Sequence, residues 1–290
     1  MRQIPVRFYS LHIHSGGEAV DYQLFFHAMQ QSIRSEVAVA TDYTVVLDEA
    51  RLTDATTIEL VFFGGDQNGQ TIYYDRSEGA PIVEAASPTR WSAKPTRAVI
   101  SANDSGRIVA LESGRGGVTP LLLERFFERV PLVGFSDRRV EITPLASKSF
   151  LTEIDAFVRI RVAAVEVARP NYDWADHANR LYELADESNA ATSTAEVKAA
   201  RGESLDKAAG LVAVIRDVAE SPNPSIRNAR VTGRKPGDTA EQTVTLSKHQ
   251  ERSLVALDQT MPLDAQTSGL LDAFRNLIAR VRNRHVSDHD

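Results

Sequence analysis

The sequence predicts an α+β protein: a mixed or antiparallel sheet with helices, arranged in two lobes, with a long basic β-hairpin and a C-terminal helix. Three observations predict it. Between residues 43 and 113, segments rich in β-branched and aromatic residues (YTVVLDEARL, TIELVFFGG, QTIYYDRS, RAVISAND and RIVALES) are separated by Gly, Asn and Asp turns, the pattern of a β-meander. A second strand-rich stretch follows residue 156, set apart from the first by helical and polar segments. At the C-terminus, Leu270, Leu271, Phe274, Leu277, Ile278 and Val281 fall on one helical stripe.

Taken in order, IPVRFYSLHIH (4–14) alternates as a strand and ends at Gly16 and Gly17. VDYQLFFHAMQQSI (20–33) carries Leu24, Phe25, Ala28 and Met29 at helical spacing. GGDQNGQ (64–70) reads as a hairpin loop. Thr119 caps a helix that has Pro120 in its first turn, and RRVEITPL (138–145) follows as a strand. Residues 157–168 read as a long strand, 174–188 as an amphipathic helix, the polar alanine-rich stretch beyond it as one or two short helices, and 209–221 as a returning strand. IRNARVTGRKPG (226–237) and DTAEQTVTLSK (238–248) form a β-hairpin turning at Pro236, Gly237 and Asp238. The expected division is a sheet-and-helix domain over 1–155, a strand–helix–strand lobe with the hairpin over 156–250, and a terminal helix over 251–290 that completes a domain or a dimer contact.

Composition narrows the functional classes. The chain has 290 residues, a net charge of −6 and no cysteine, which excludes disulfide frameworks, thiolate metal sites and cysteine nucleophiles. No run approaches the roughly 18 to 20 apolar residues of a membrane helix, and the N-terminus lacks the pattern of a signal peptide. HExxH, GxSxG and kinase signatures are missing, so no catalytic residue, metal or cofactor is expected. GRGG (114–117) before a helix lacks the Lys-Ser/Thr of a phosphate loop and reads as a turn. His12 and His14 share a strand face and suggest a metal-dependent nuclease or other hydrolase as the alternative, although no third ligand lies nearby in sequence.

Within this acidic chain, Arg227, Arg230, Arg234 and Lys235 form an island of positive charge on the hairpin. Local charge governs contact with nucleic acid, and a projecting basic arm releases counterions from each phosphate it neutralises. The competing explanation is a charged strand edge that resists aggregation. Arg280 and Arg282 lie near a helix C-terminus, where the dipole favours cations whatever the function. Arg138, Arg139 and Lys148 complete the secondary candidates for DNA contact.

The N-terminal strand and helix, DYTVVLD (42–48), RRVEITPL (138–145), SPNPSIRNARVTGRKPGDTAEQTVTLSK (221–248) and the arginine-rich terminal helix together resemble the RexA family of lambda-like prophage exclusion systems through nearly the full length. The resemblance implies a cytoplasmic homodimer in a bacterial host that binds double-stranded DNA with little sequence preference. It further implies action with a RexB-like membrane channel protein in superinfection exclusion, a form of abortive infection. The family's basic residues carry over to Arg227 and Arg230; Arg234 and Lys235 are added from charge alone.

Overall fold

The structure is a computed structural model that describes residues 1–87, 90–104, 106–168, 192–221 and 226–287. Its backbone is β1 (Arg2–Ser15), β2 (Glu18–Ala19), α1 (Tyr22–Gln31), β3 (Glu36–Ala40), β4 (Tyr43–Asp54) and β5 (Thr57–Gly65), then the ribbon β6 (Gln70–Asp75) and β7 (Ala80–Ala85). There follow β8 (Lys94–Asn103), β9 (Gly106–Glu112), α2 (Pro120–Arg129), β10 (Arg138–Pro144) and α3 (Lys148–Asp155). β11 (Arg159–Ala168), β12 (Thr192–Lys198), α4 (Gly210–Glu220), β13 (Asn228–Arg234), β14 (Gln242–Thr245), β15 (Arg252–Leu257) and α5 (Leu263–Ser287) complete the chain. The α+β fold class and the C-terminal helix are those the sequence predicts.

The larger sheet runs β10-β1-β9-β8-β5-β4-β3, entirely antiparallel, and curls into a half-barrel. Register shifts between Leu47 and Glu49 and between Leu52 and Asp54 mark irregularities in β4, the kind of defect that bends a strand and tightens its twist. β1 shows both patterns of a strand. Ile4, Val6 and Phe8 alternate onto the outer face, whereas from Phe8 to Ile13 every residue is buried because both faces are covered. The inner face packs against Phe25, Phe26 and Met29 of α1 and Leu123, Phe126 and Phe127 of α2. The stripe Leu270, Leu271, Phe274, Leu277, Ile278 and Val281 of α5 covers the outer face.

Helix α2 also closes the mouth of the half-barrel. Its sequence ERFFER (124–129) sends Phe126 and Phe127 into the core and its charges to the two sheet edges. Glu124 and Glu128 accept the backbone N–H groups of Ile142 (2.8 Å) and Val140 (3.4 Å) on β10. Arg125 and Arg129 donate to the carbonyls of Val39 (3.2 Å) and Ala38 (2.7 Å) on β3. Carboxylates thus serve the edge that offers donors and guanidinium groups the edge that offers acceptors, satisfying groups that an exposed strand would leave open.

The second lobe is inserted between two strands that share one edge of β1. β15 pairs with Arg2 to Arg7 and β10 with Tyr9 to Ser15. At the changeover, Phe8 donates to the Glu251 carbonyl (3.1 Å), and its own carbonyl accepts from Leu145 N–H (3.1 Å) and Gln250 Nε2 (2.9 Å). Leaving and returning strands are therefore tied to one residue, and β15 and α5 complete the first lobe. The second lobe is the sheet β12-β11-β13-β14 over a core of Phe150 and Ile154 from α3, Val212, Ile215 and Ala219 from α4, and Ile160, Val165, Ala229 and Val231 from the strands. Because Phe150 and Ile154 belong to this core, α3 falls with the second lobe and not with the 1–155 domain expected from sequence.

Other local expectations change as well. Within 209–221, Gly210–Glu220 form helix α4: Val212, Ile215 and Ala219 are buried at helical spacing, and the β-branched run that suggests a strand is outweighed by packing on the sheet. Strand β12 occupies 192–198, where short helices are expected, and pairs with β11. Loop 64–70 does not join paired neighbours, since β5 pairs with β8 and the loop launches the separate β6–β7 ribbon. The helix expected over 174–188 lies outside the described residues.

Candidate nucleic-acid interface

The β13–β14 hairpin is held to the lobe by close packing at Gly233. A Cβ there would lie 2.5 Å from the Arg159 carbonyl and 2.7 Å from the Phe157 ring, so the approach of Phe157 requires glycine. Ala229 and Val231 point into the core, and alternation sends Asn228, Arg230, Thr232 and Arg234 to the open face of the sheet.

The four cations of this segment do not form one free patch, contrary to the projecting arm expected from sequence. Arg227 lies 3.6 Å from Glu124 across the junction between the lobes. Burial pushes the Glu124 carboxyl above the usual carboxylate range, while the Ile142 N–H and Arg227 oppose that rise. Arg227 is therefore the counter-ion of a buried acid. Arg230 pairs with Glu196, which Lys198 also contacts at 3.0 Å. The hydrogen bonds from Lys198 and then Arg230 hold the Glu196 carboxyl below its ordinary value. Lys235 pairs with Glu153 on α3, and that hydrogen bond lowers the Glu153 carboxyl. Arg234 alone of the four is exposed with no carboxylate partner among the described residues.

Arg234 stands opposite Arg159 in the β13–β11 register. Directly opposed residues of an antiparallel pair project to the same face, so the two arginine side chains leave one face of the sheet at neighbouring positions. Arg159 is half-buried; its Nε donates to the Glu203 carbonyl at 2.9 Å, and it too has no carboxylate partner among the described residues. Arg159 is absent from the sequence-based candidates. The available signal is RIR at 159–161 opening a strand, but its partner across the sheet depends on register.

The secondary candidates divide by burial. Arg138 donates to the carbonyls of Phe127 (2.8 Å), Glu128 (3.2 Å), Val130 and Phe135, so it closes the C-terminal end of α2, and burial lowers its pKa. Arg282 is half-buried and donates to Ser101 Oγ at 2.9 Å, docking α5 on the outer sheet face. Arg275 contacts the buried Glu59 at 2.9 Å in the same interface. Arg139 and Arg280 are exposed. Lys148, also exposed, borders a cavity of about 40 Å³ between the lobes with Glu220, Glu251 and Arg284.

His12 and His14 share a face of β1, opposite Glu141 and Arg139 of β10. His12 is buried and its Nε2 lies 2.8 Å from Ser10 Oγ. The described residues gather no group of three or more His, Asp or Glu able to hold a metal, so the arrangement lends no geometric support to the nuclease alternative. No described helix is long and apolar enough to cross a membrane.

Residues 108–221 match a family described as a domain of unknown function, DUF4747. The matched span runs from β9 to the end of α4, crossing from the first lobe into the second, and stops short of the β13–β14 hairpin. The chain matches no curated protein.

Proposed function

We propose that this protein acts by binding and not by catalysis, contacting the sugar–phosphate backbone of double-stranded DNA in a sequence-tolerant manner through the Arg159/Arg234 end of the second sheet. The observation that carries this reading is the placement of Arg159 and Arg234 directly opposite each other in the β11–β13 register, neither with a carboxylate partner among the described residues. Like charges so placed repel, and an anion between them removes the penalty. The guanidinium fork matches phosphate geometry, and Arg230 on the same strand face can exchange Glu196 for a second phosphate. Phosphate contacts of this kind position a protein without reading bases.

The resemblance to the RexA family gives this activity its setting in our reading: prophage-encoded superinfection exclusion in a bacterial cytoplasm, alongside a membrane channel partner. The test is fluorescence anisotropy of a labelled duplex over a salt series, with the parent and with Arg159→Ala/Arg234→Ala. We expect weak, salt-sensitive binding that the double variant abolishes. A response independent of salt, or an unchanged affinity in the variant, would remove the phosphate site.

A further inference from the structure

The β6–β7 ribbon stands as its own two-stranded sheet, paired with no other described strand. Ile72 is opposite Val83 and Tyr73 opposite Ile82, so the two apolar pairs occupy opposite faces. All four are largely exposed, at 67, 53, 53 and 51% for Ile72, Val83, Tyr73 and Ile82. A two-stranded ribbon is marginal in water without a further strand or a covering layer.

Its two edges differ. Ala86 N–H donates to the Gly69 carbonyl at 3.0 Å, which makes this a bonded pair. Bonded and non-bonded pairs alternate along an antiparallel ladder, so Thr71–Glu84 and Tyr73–Ile82 are bonded in turn. The backbone groups of Gln70, Ile72 and Tyr74 therefore point away from β7, and neither Gln70 nor Ile72 has a backbone partner there among the described residues. On the far edge the equivalent positions are Pro81, Val83 and Ala85, and Pro81 has no N–H to offer. The outer edges of the large sheet are closed by α2; the β6 edge carries no proline, lysine or covering side chain of that kind.

We propose that the β6 edge is an interface between two copies of this chain, paired antiparallel about a two-fold axis at Ile72. The register is self-complementary. Ile72 meets its counterpart, extending one apolar row as Val83, Ile72, Ile72, Val83 across four strands. Gln70 falls opposite Tyr74 and Asp75 opposite Gly69, so no like charges oppose each other. A lipid surface fits less well, because the open backbone groups demand a strand and the ribbon carries Asp75, Glu78 and Glu84. This inference stands independently of the nucleic-acid reading, since neither Arg159 nor Arg234 lies on the ribbon.

The chain has no cysteine, so single replacements give a direct test on the full-length protein. In a bonded pair the Cα atoms are about 5.5 Å apart, within disulfide range, whereas the far edges of the four strands are separated by about 14 Å. Under mild oxidation Ile72→Cys is expected to give a covalent dimer and Val83→Cys is not. Sedimentation of the unmodified chain is expected to show a dimer; Ile72→Pro, which removes an outward N–H and leaves the ribbon ladder intact, should convert it to monomer, while Val83→Pro should keep it dimeric. A monomer at every concentration, equal crosslinking of the two cysteine variants, or a dimer that survives Ile72→Pro would overturn the proposal.

Discussion

Glu124 and Arg125 are adjacent in sequence yet hold opposite edges of one sheet: the carboxylate accepts from Ile142 N–H on β10, and the guanidinium donates to the Val39 carbonyl on β3. Successive residues of a helix point about 100° apart, and a helix laid across the mouth of a curled sheet can therefore reach both sides. Glu124 also pairs with Arg227, so the same side chain joins the two lobes.

A pH dependence follows for Glu124. Its pKa is raised in the folded protein, so the native state binds its proton more tightly than the unfolded chain, and stability declines as pH rises from the ordinary value of 4.5 through the raised one. Glu124→Gln keeps an acceptor for Ile142 N–H and removes the titration. Denaturant unfolding across this interval is expected to show a flatter profile for the variant; an unchanged slope would exclude Glu124 as its source.

Gly233→Ala forces a methyl group against the Phe157 ring and the Arg159 carbonyl. Overpacking of this kind costs about 1–3 kcal/mol. Urea unfolding should register that decrease in stability, and hydrogen exchange should show protection falling in β11 and β13 before the large sheet. Parent-like stability would mean that the hairpin shifts freely.

Arg138→Ala strips donors from carbonyls at the end of α2, at a cost of about 1–3 kcal/mol for the acceptors left without a partner. Lysine, lacking the planar fork, is expected to restore only part of it. Thermal melts measure this effect. Duplex affinity, compared under conditions where both proteins are folded, should not change, since this guanidinium is committed to backbone oxygens.

Arg234→Ala and Arg230→Ala separate a free cation from a paired one. The first should reduce the salt slope of duplex binding by about 0.9, the value for one phosphate that is no longer neutralised. The second should act more weakly, because reaching DNA requires Arg230 to leave Glu196. Equal effects of the two variants would contradict this order.

Legibility of the fold varies with how local its cause is. β1, β4, β5, β6, β8, β9, α1, α2 and the stripe of α5 announce themselves through spacing, capping and turn residues that act within a few positions, whereas β7 is not among the predicted strands. β3 and β15 are short and are not among the predicted elements. α4 reads as a strand, because Leu211, Val212, Val214 and Ile215 satisfy that pattern until Val212, Ile215 and Ala219 are seen packed on one side. At the candidate site, the cluster at 227–235 is visible as composition, but its neutralisation by Glu124, Glu196 and Glu153 is not, since those acids lie 34 to 103 positions away along the chain.

By itself the sequence determined an α+β chain with a β-meander, a basic hairpin and an amphipathic terminal helix, because periods of 2 and 3.6 residues are written into consecutive side chains. Only tertiary structure decided that the second lobe enters and leaves beside Phe8, that α2 spans both sheet edges, and that Arg234 shares a free face with Arg159 while its neighbours are paired. Those outcomes rest on which distant groups come within hydrogen-bonding reach, and strand register and packing set that distance.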